Sequence, residues 1–476
     1  MPVTEYEPRA LFRNASLRLR GAGERLGSVL FAGEDREIDE LVARAAVARQ
    51  QIGGWPEARI DAMLLAVAQS FAVAARPLAE DTVRVTGVGN VPDKTCKNVM
   101  ASMGVYRSLA GRQASGVLET DDARRVSEIA CPVGIVVGLI PATNPAATAV
   151  FKALIALKGR NALIFSFPRS FREVAPKVVG IIHAALRASG APVDLIQWVK
   201  RGQSRAKAES LMRHPKVSMV LATGGAAMVK AAYGSGTPTI GVGPGNAPVV
   251  ICEDADLQHA AECVVISKSF DNGLVCGSEN NLVVPDAVRE SFVRALVSAG
   301  AAVLTDEEAR RFTAMVVVPS TGRLRGDVIG QSAGDIAAFT GILRDHPIEL
   351  IVVPADPVSG AEAYAREKMA PILSLFTVAS EQEAFELSLD LLQREGMGHT
   401  AVIHTRNTVT INRFAALMPA SRILANSPAS HGVIGFTTGL LPSLTLGCGT
   451  FGSNSTTDNV SFRHLLNIKR LAHYLD

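Results

Sequence analysis

The sequence predicts an α/β protein built on parallel sheets, and three observations carry that prediction. From Val133 onward, short apolar runs rich in Val, Ile and Leu alternate with longer amphipathic stretches. Near-continuous apolar strands separated by helices are the mark of a sheet covered on both faces. Aromatic residues make up only 5 % of the 476, while Ala and Gly (41 glycines) are plentiful, which suits tightly packed α/β layers better than an all-β sandwich. The length itself implies two to three domains with ample core.

Residues 1–35 are Arg-rich with little periodicity and read as an N-terminal arm, either frayed or used for targeting or docking. Ile38–Gln51, Glu57–Val83 and Lys94–Leu109 carry apolar residues at three- and four-residue spacing and read as helices. A polar stretch, Gly111–Arg125, leads to a strand-like run, Val126–Cys131. Strands are then predicted at Gly134–Ile140, Leu163–Phe167, Leu195–Val199 and Val217–Ala222, with helices at Pro145–Lys158, Arg172–Ser189 and Gln203–Arg213 between them. This is a Rossmann-like half. A second cycle follows, with strands at Val249–Ile251, Leu282–Val284, Val316–Val318, Glu349–Val353, Leu373–Val378, Ala401–His404 and Arg422–Ala425. A glycine-rich loop, Gly447–Ser455, and a helix, Val460–Leu471, close the chain.

The net charge of +3 and the lack of a basic stripe with interleaved aromatics argue against a nucleic-acid partner. The six cysteines form no C-x-x-C pair and no histidine cluster has ligand spacing, so no metal is expected. Scattered single cysteines fit a reducing compartment. The uncharged stretch Ile129–Phe151 is broken by Pro132, Pro141 and Pro145 and reads as strand, turn and helix start, not as a membrane span.

Five short stretches carry candidate chemistry. Cys276 lies in Ser269–Asn280, a glycine-flanked polar loop between a helical pattern (Leu257–Lys268) and an apolar run (Leu282–Val284). A cysteine in such a loop is open to a substrate, whereas structural cysteines lie inside apolar runs. Thr143-Asn144-Pro145 links the first strand to its helix; Asn and Pro there are ordinary N-cap and first-turn residues. Ala222-Thr223-Gly224-Gly225 joins a strand to a helix, as an ordinary capped turn or as a seat for a phosphate on bare N–H groups. No G-x-G-x-x-G follows a predicted strand. Glu367 precedes a strand in Glu-Lys-Met-Ala-Pro, and His399 sits in Gly-Met-Gly-His-Thr before another.

Phe270-Asp271-Asn272-Gly273, with Cys276, Ser278 and Glu279, resembles the nucleophile loop of the CoA-acylating aldehyde dehydrogenases. That group includes the aldehyde dehydrogenase half of aldehyde-alcohol dehydrogenases and the acylating succinate-semialdehyde and sulfoacetaldehyde dehydrogenases. The resemblance runs from about Ile38 to the C-terminus. It implies an aldehyde dehydrogenase-like fold: a cofactor domain (36–113 and 132–248), a catalytic domain (249–440) and oligomerisation or closing segments (114–131 and 441–476). It makes Cys276 the nucleophile. Asn144 becomes an oxyanion donor alongside the Cys276 N–H, a contact worth ~3 kcal/mol. His399 is implied as a base for a thiol or as a group that positions CoA. Thr143, Thr223, Gly224, Gly225 and Gly243 would face NAD or NADP, and Glu367 the nicotinamide ribose. Ser166, Pro168 and Arg169 would lie near the adenine ribose, where Arg169 is either a 2′-phosphate partner or a solvated charge.

One departure is informative. Hydrolytic aldehyde dehydrogenases carry a deacylating Glu in a Glu-Leu-Gly-Gly-Lys word; here the word reads Gly241-Val242-Gly243-Pro244-Gly245-Asn246, with Val242 at the Glu position. A site lacking that base suits a CoA thiol as the second nucleophile. The resemblance thus implies oxidation of a short-chain aldehyde (acetaldehyde, sulfoacetaldehyde or similar) to acyl-CoA. A hydrolytic enzyme, a reductase of acyl phosphates and a non-catalytic assembly protein on the same fold are the competing readings. The partners implied are the aldehyde and CoA, with a homodimer or homotetramer in the cytoplasm, or inside a bacterial microcompartment by way of the arm.

Overall fold

The computed structural model describes residues 36–200, 204–355 and 364–475. The N-terminal arm therefore lies outside the described residues. Strands are numbered in chain order. The first parallel sheet has the order β5-β4-β3-β6-β7, made of β3 (Ile135–Leu139), β4 (Ala162–Ser166), β5 (Ile196–Trp198), β6 (Met219–Thr223) and β7 (Thr239–Val242). Alternate residues of these strands enter different cores. Val136, Leu163, Phe165 and Leu221 pack into one, under the helices Glu57–Val73, Pro145–Lys158 and Ala175–Ala188. Val137, Ile164 and Val220 pack into another, under Arg36–Ile52. The period-two split explains why these strands read as unbroken apolar runs.

The second sheet is also parallel, ordered β10-β13-β14-β9-β8-β15-β16. It contains β8 (Ala247–Ile251), β9 (Glu279–Pro285), β10 (Ala301–Val303), β13 (Leu350–Ala355), β14 (Ile372–Val378), β15 (Gly398–His404) and β16 (Ala420–Ala425). Val249 and Val250 again go to opposite cores. Two short strands, β11 (Val317–Val318) and β12 (Arg323–Leu324), pair only with each other. The expected sheet strand at Val316–Val318 is thus corrected. The helix Asp306–Val316, opened by a Thr305–Glu308 capping box, uses Val316 as its last residue, and β10 supplies the edge strand instead.

A third, antiparallel sheet joins β1 (Gly116–Asp121), β2 (Val126–Pro132) and β17 (Leu466–Ala472). The predicted helix Val460–Leu471 is corrected here. A 3₁₀ turn at Phe462–Leu465 leads into β17, which pairs from Leu466↔Pro132 to Ala472↔Val126. Backbone pairing with β2 overrides the local helical spacing of this segment. The predicted helix Glu57–Val83 is also broken, into Glu57–Val73 and Ala75–Thr86, bent by 60°. Pro77 explains the break, since its ring would clash with the Val73 carbonyl four residues back. Among the described residues, no single helix is long and apolar enough to cross a membrane; only this bent pair meets the test, on length and composition alone.

Candidate active site

Cys276 stands on the connection between the helix Leu257–Ser269 and β9, at the C-terminal side of the first sheet. The connection begins with a tight turn in which Asp271, Asn272 and Gly273 have φ of 49°, 55° and 75°. Asn and Asp tolerate this region better than most side chains, and Gly273 has no alternative, since a Cβ there would lie 2.5 Å from the Ala370 carbonyl. Asn272 ties the turn down by donating to Gly330 O at 2.8 Å. The chain then passes Leu274 and Val275, both buried, and delivers a half-buried Cys276.

The thiol opens onto a cavity of about 310 Å³ whose lining includes Thr143, Asn144, Thr223, Gly224, Gly225, Val242, Gly243 and Glu367. Eight of the twelve residues expected in the site from the sequence therefore meet in one space: Cys276, Asn144, Thr143, Thr223, Gly224, Gly225, Gly243 and Glu367. Ser166, Pro168 and Arg169 lie outside that lining, where β4 ends and a 3₁₀ turn begins at the exposed Arg169. His399 also lies outside it and is fully buried.

The elements explain these placements. Asn144 occupies the N-cap position of Pro145–Lys158, but its side chain makes no capping bond. Its Nδ2 instead points to Leu274 O at 3.4 Å, in the nucleophile loop. Gly225 opens the helix Ala226–Tyr233 with no side-chain cap, and a Cβ on Gly225 or Gly243 would meet nothing within 4 Å. Bare first-turn N–H groups facing open space form a cradle that fits the phosphates of a dinucleotide. Glu367 is fixed by the Gly245 N–H, which donates to its Oε1 at 3.2 Å. The next residue, Lys368, is buried and anchored on Tyr364 O (2.6 Å) and Asn281 Oδ1 (3.2 Å). Lys268 donates to Lys368 O at 2.7 Å, so a buried network holds the Glu367 segment against β9.

Burial dominates the electrostatics. It pushes the Cys276 thiol up to about 12, with the Glu367 carboxylate adding to the rise. Burial likewise pushes Glu367 up to about 7. Glu367 is the one carboxylate among the described residues lining the cavity. His399 is driven down to about 3 by burial, with the Arg422 cation adding to the fall. Its Nδ1 meets Thr400 Oγ1 at 2.8 Å and its Nε2 has no hydrogen-bond partner. The geometry provides a neutral imidazole on the far side of Gly245, where an added Cβ would meet both Cys276 O and His399 Cε1. His431 packs against Phe270 at a 49° tilt with ring centroids 4.6 Å apart, and His464 accepts from Ser461 N at 3.1 Å. Both hold structure together.

Sequence reasoning missed two lysines. Lys94 and Lys97 project from the helix Val91–Val99 and are buried. Both bond the carboxylate of Asp271, Lys94 at 3.0 Å. Lys97 also lines the cavity and contacts Asn144 Oδ1. Lysines in a polar helical stretch look solvated in a sequence; the one available signal was their three-residue spacing, which puts them on one face.

A family model described as the aldehyde dehydrogenase family matches residues 20–440. The bifunctional aldehyde-alcohol dehydrogenase of Escherichia coli is 38 % identical over 92 % of this chain. The match takes up 49 % of that protein, and this chain spans about half the length of the first curated relatives it matches. An acetylating aldehyde dehydrogenase of Geobacillus thermoglucosidasius, solved as a crystal structure, is 39 % identical with a TM-score of 0.89, covering 92 % of this chain and 97 % of that one. A propionaldehyde dehydrogenase of Rhodopseudomonas palustris, solved with bound CoA and an acylated cysteine, is 25 % identical with a TM-score of 0.82, over 92 % of this chain and 97 % of that one.

Proposed function

Since the chain belongs to the aldehyde dehydrogenase family, in its acylating branch, we propose that it oxidises a short-chain aldehyde to the acyl-CoA with NAD or NADP as hydride acceptor. The observation that carries this reading is the company Cys276 keeps. It shares a cavity with an amide side chain, Asn144, and with a carboxylate, Glu367, while Val242 stands where hydrolytic relatives carry a base for water.

In this reading the Cys276 sulfur adds to the aldehyde carbon as its S–H proton is lost to solvent and the C=O electron pair moves onto oxygen. The oxyanion is held by the Asn144 amide and the Cys276 N–H. Gly224, Gly225 and Thr223 hold the cofactor phosphates, and Glu367 the ribose next to the nicotinamide. A nicotinamide held there would supply the hydride acceptor for the carbon attached to sulfur. The thioester left on Cys276 is then open to attack by the CoA thiol, which releases acyl-CoA and regenerates the cysteine. Val242 offers no proton acceptor to a water molecule, so the thioester is preserved for CoA. The R. palustris structure, with CoA and an acylated cysteine in one protein, supports this order of events.

The lining favours a small uncharged aldehyde. Val275, Ile434, Leu444 and Leu446 give it an apolar wall. Among the described lining residues Lys97 is the only cation, and Asp271 already takes its charge. Acetaldehyde therefore fits better than sulfoacetaldehyde or succinate semialdehyde. The test is the initial rate of NAD(P)H formation on these three aldehydes, with and without CoA, in wild type and Cys276→Ala. A CoA-dependent rate, highest on acetaldehyde and abolished in Cys276→Ala, is expected. An equal rate without CoA would mean that water deacylates the enzyme and that the hydrolytic reading replaces this one.

A further inference from the structure

An asparagine in an oxyanion hole must present its nitrogen. The two ends of the amide have nearly the same shape, and a flipped amide would aim a carbonyl oxygen at the developing negative charge. Something has to choose the end. Lys97 approaches Oδ1 of Asn144, and an ammonium has donors only. The oxygen is therefore committed to the lysine and Nδ2 to the side of Leu274 and the cavity.

The lysine is itself held from all sides. Its side chain is 2 % exposed, and its ammonium rests on Asp271, whose side chain is 0 % exposed. Lys94 shares the same carboxylate at 3.0 Å and donates to Thr143 O at 3.0 Å, the residue before Asn144. Asn90 N donates to Asp271 Oδ1 at 3.1 Å, and Asp271 N donates to Asp93 Oδ2 at 2.7 Å. The cluster thus joins three separate segments: the Val91–Val99 helix, the Thr143-Asn144 turn and the nucleophile loop.

We propose that Lys97 is a positioning residue for the oxyanion hole. It fixes the Asn144 amide with Nδ2 toward the substrate and, by hydrogen bonding its oxygen with a full positive charge, polarises the amide into a stronger donor. Asp271 anchors the lysine and thereby ties the hole to the loop that carries Cys276. The proposal rests on the reading of Asn144 as an oxyanion donor.

The experiment is a double-mutant cycle of Lys97→Met and Asn144→Ala, read by single-turnover NAD(P)H formation and by steady-state kcat and KM. Asn144→Ala is expected to slow the chemical step about 100-fold. Lys97→Met should slow it about 10-fold or more, with KM for aldehyde and cofactor changed by less than about 2-fold. In the Asn144→Ala background Lys97→Met should add less than about 2-fold, because its route to the substrate is gone. Lys97→Arg should recover part of the loss. Asp271→Asn, which keeps its shape and severs the clamp, should show the same non-additivity and serves where Lys97→Met melts early. Losses that multiply in the double variant, or Lys97→Met at the wild-type rate, overturn the proposal and leave the role of Asn144 standing. Asn144→Ala at the wild-type rate removes the oxyanion reading itself.

Discussion

Gly245→Ala puts a methyl group where the Cys276 backbone now sits. An added Cβ at Gly245 would lie 1.7 Å from Cys276 O and 2.8 Å from Cys276 C. Both are backbone atoms, so no side-chain rotation relieves the clash. Real Cβ contacts stay beyond 3.0 Å, so one loop must shift by about 1.3 Å, and a misplacement near 1 Å can cost about 100-fold in rate. If Gly245 moves, its N–H leaves Glu367 Oε1, now 3.2 Å away. If Cys276 moves, its N–H leaves the place proposed for the oxyanion. Either way kcat/KM should fall about 100-fold, or about 2.7 kcal/mol of transition-state stabilisation. The assay is CoA-dependent NAD(P)H formation, with the melting temperature recorded in parallel. Gly180→Ala is the control: it lies on the exposed face of the helix Ala175–Ala188, a Cβ there meets nothing within 4 Å, and it should leave the rate unchanged. Wild-type kcat/KM (within about 3-fold) and an unshifted melting temperature in Gly245→Ala would refute the contact and the reasoning that makes this glycine obligatory.

Two further predictions concern pH. Glu367 is raised from 4.5 to about 7 by burial, so its stabilising contribution is complete below pH 4.5 and is lost as pH rises through 7. Glu367→Gln should therefore melt at the wild-type temperature near pH 4.5 and increasingly above it toward pH 8. The same substitution removes a negative charge beside Cys276, so iodoacetamide should label the thiol faster at pH 8 even as turnover falls; slower labelling would contradict the electrostatics. His399, driven down to about 3, stays neutral through the working range. The acid limb of the wild-type kcat profile should keep its midpoint in His399→Asn, and a displaced limb would show that this imidazole titrates during turnover.

The sheets were legible because β3, β4 and β6 are covered on both faces, which leaves an apolar run with no polar interruption. The turn before Cys276 was legible because it needs residues of special conformational tolerance, and Asp271-Asn272-Gly273 advertise them. Lys94 and Lys97 were not. Their burial comes from the docking of a helix onto a loop about 175 residues later, a contact that no local pattern records. The end of the chain was misread for a similar reason. Val460–Leu471 is read as a helix, and only the presence of β2 makes Leu466–Ala472 a strand. Ser166, Pro168 and Arg169 were placed by resemblance at the adenine ribose, and the cavity around Cys276 does not reach them.

That late pairing also sets an order of events at the ribosome. Asn467 lies 336 residues after Cys131, its neighbour across the sheet. At about 5–20 residues per second, β2 waits roughly 20–70 s after its own synthesis for the strand that completes its outer edge. During that interval the hairpin of β1 and β2 offers unpaired backbone N–H and C=O groups to any passing strand. A polypeptide released before residue 466 never satisfies them. Leu466–Ala472 thus acts as a late closure: the free side of β2 is covered only on chains translated past residue 472.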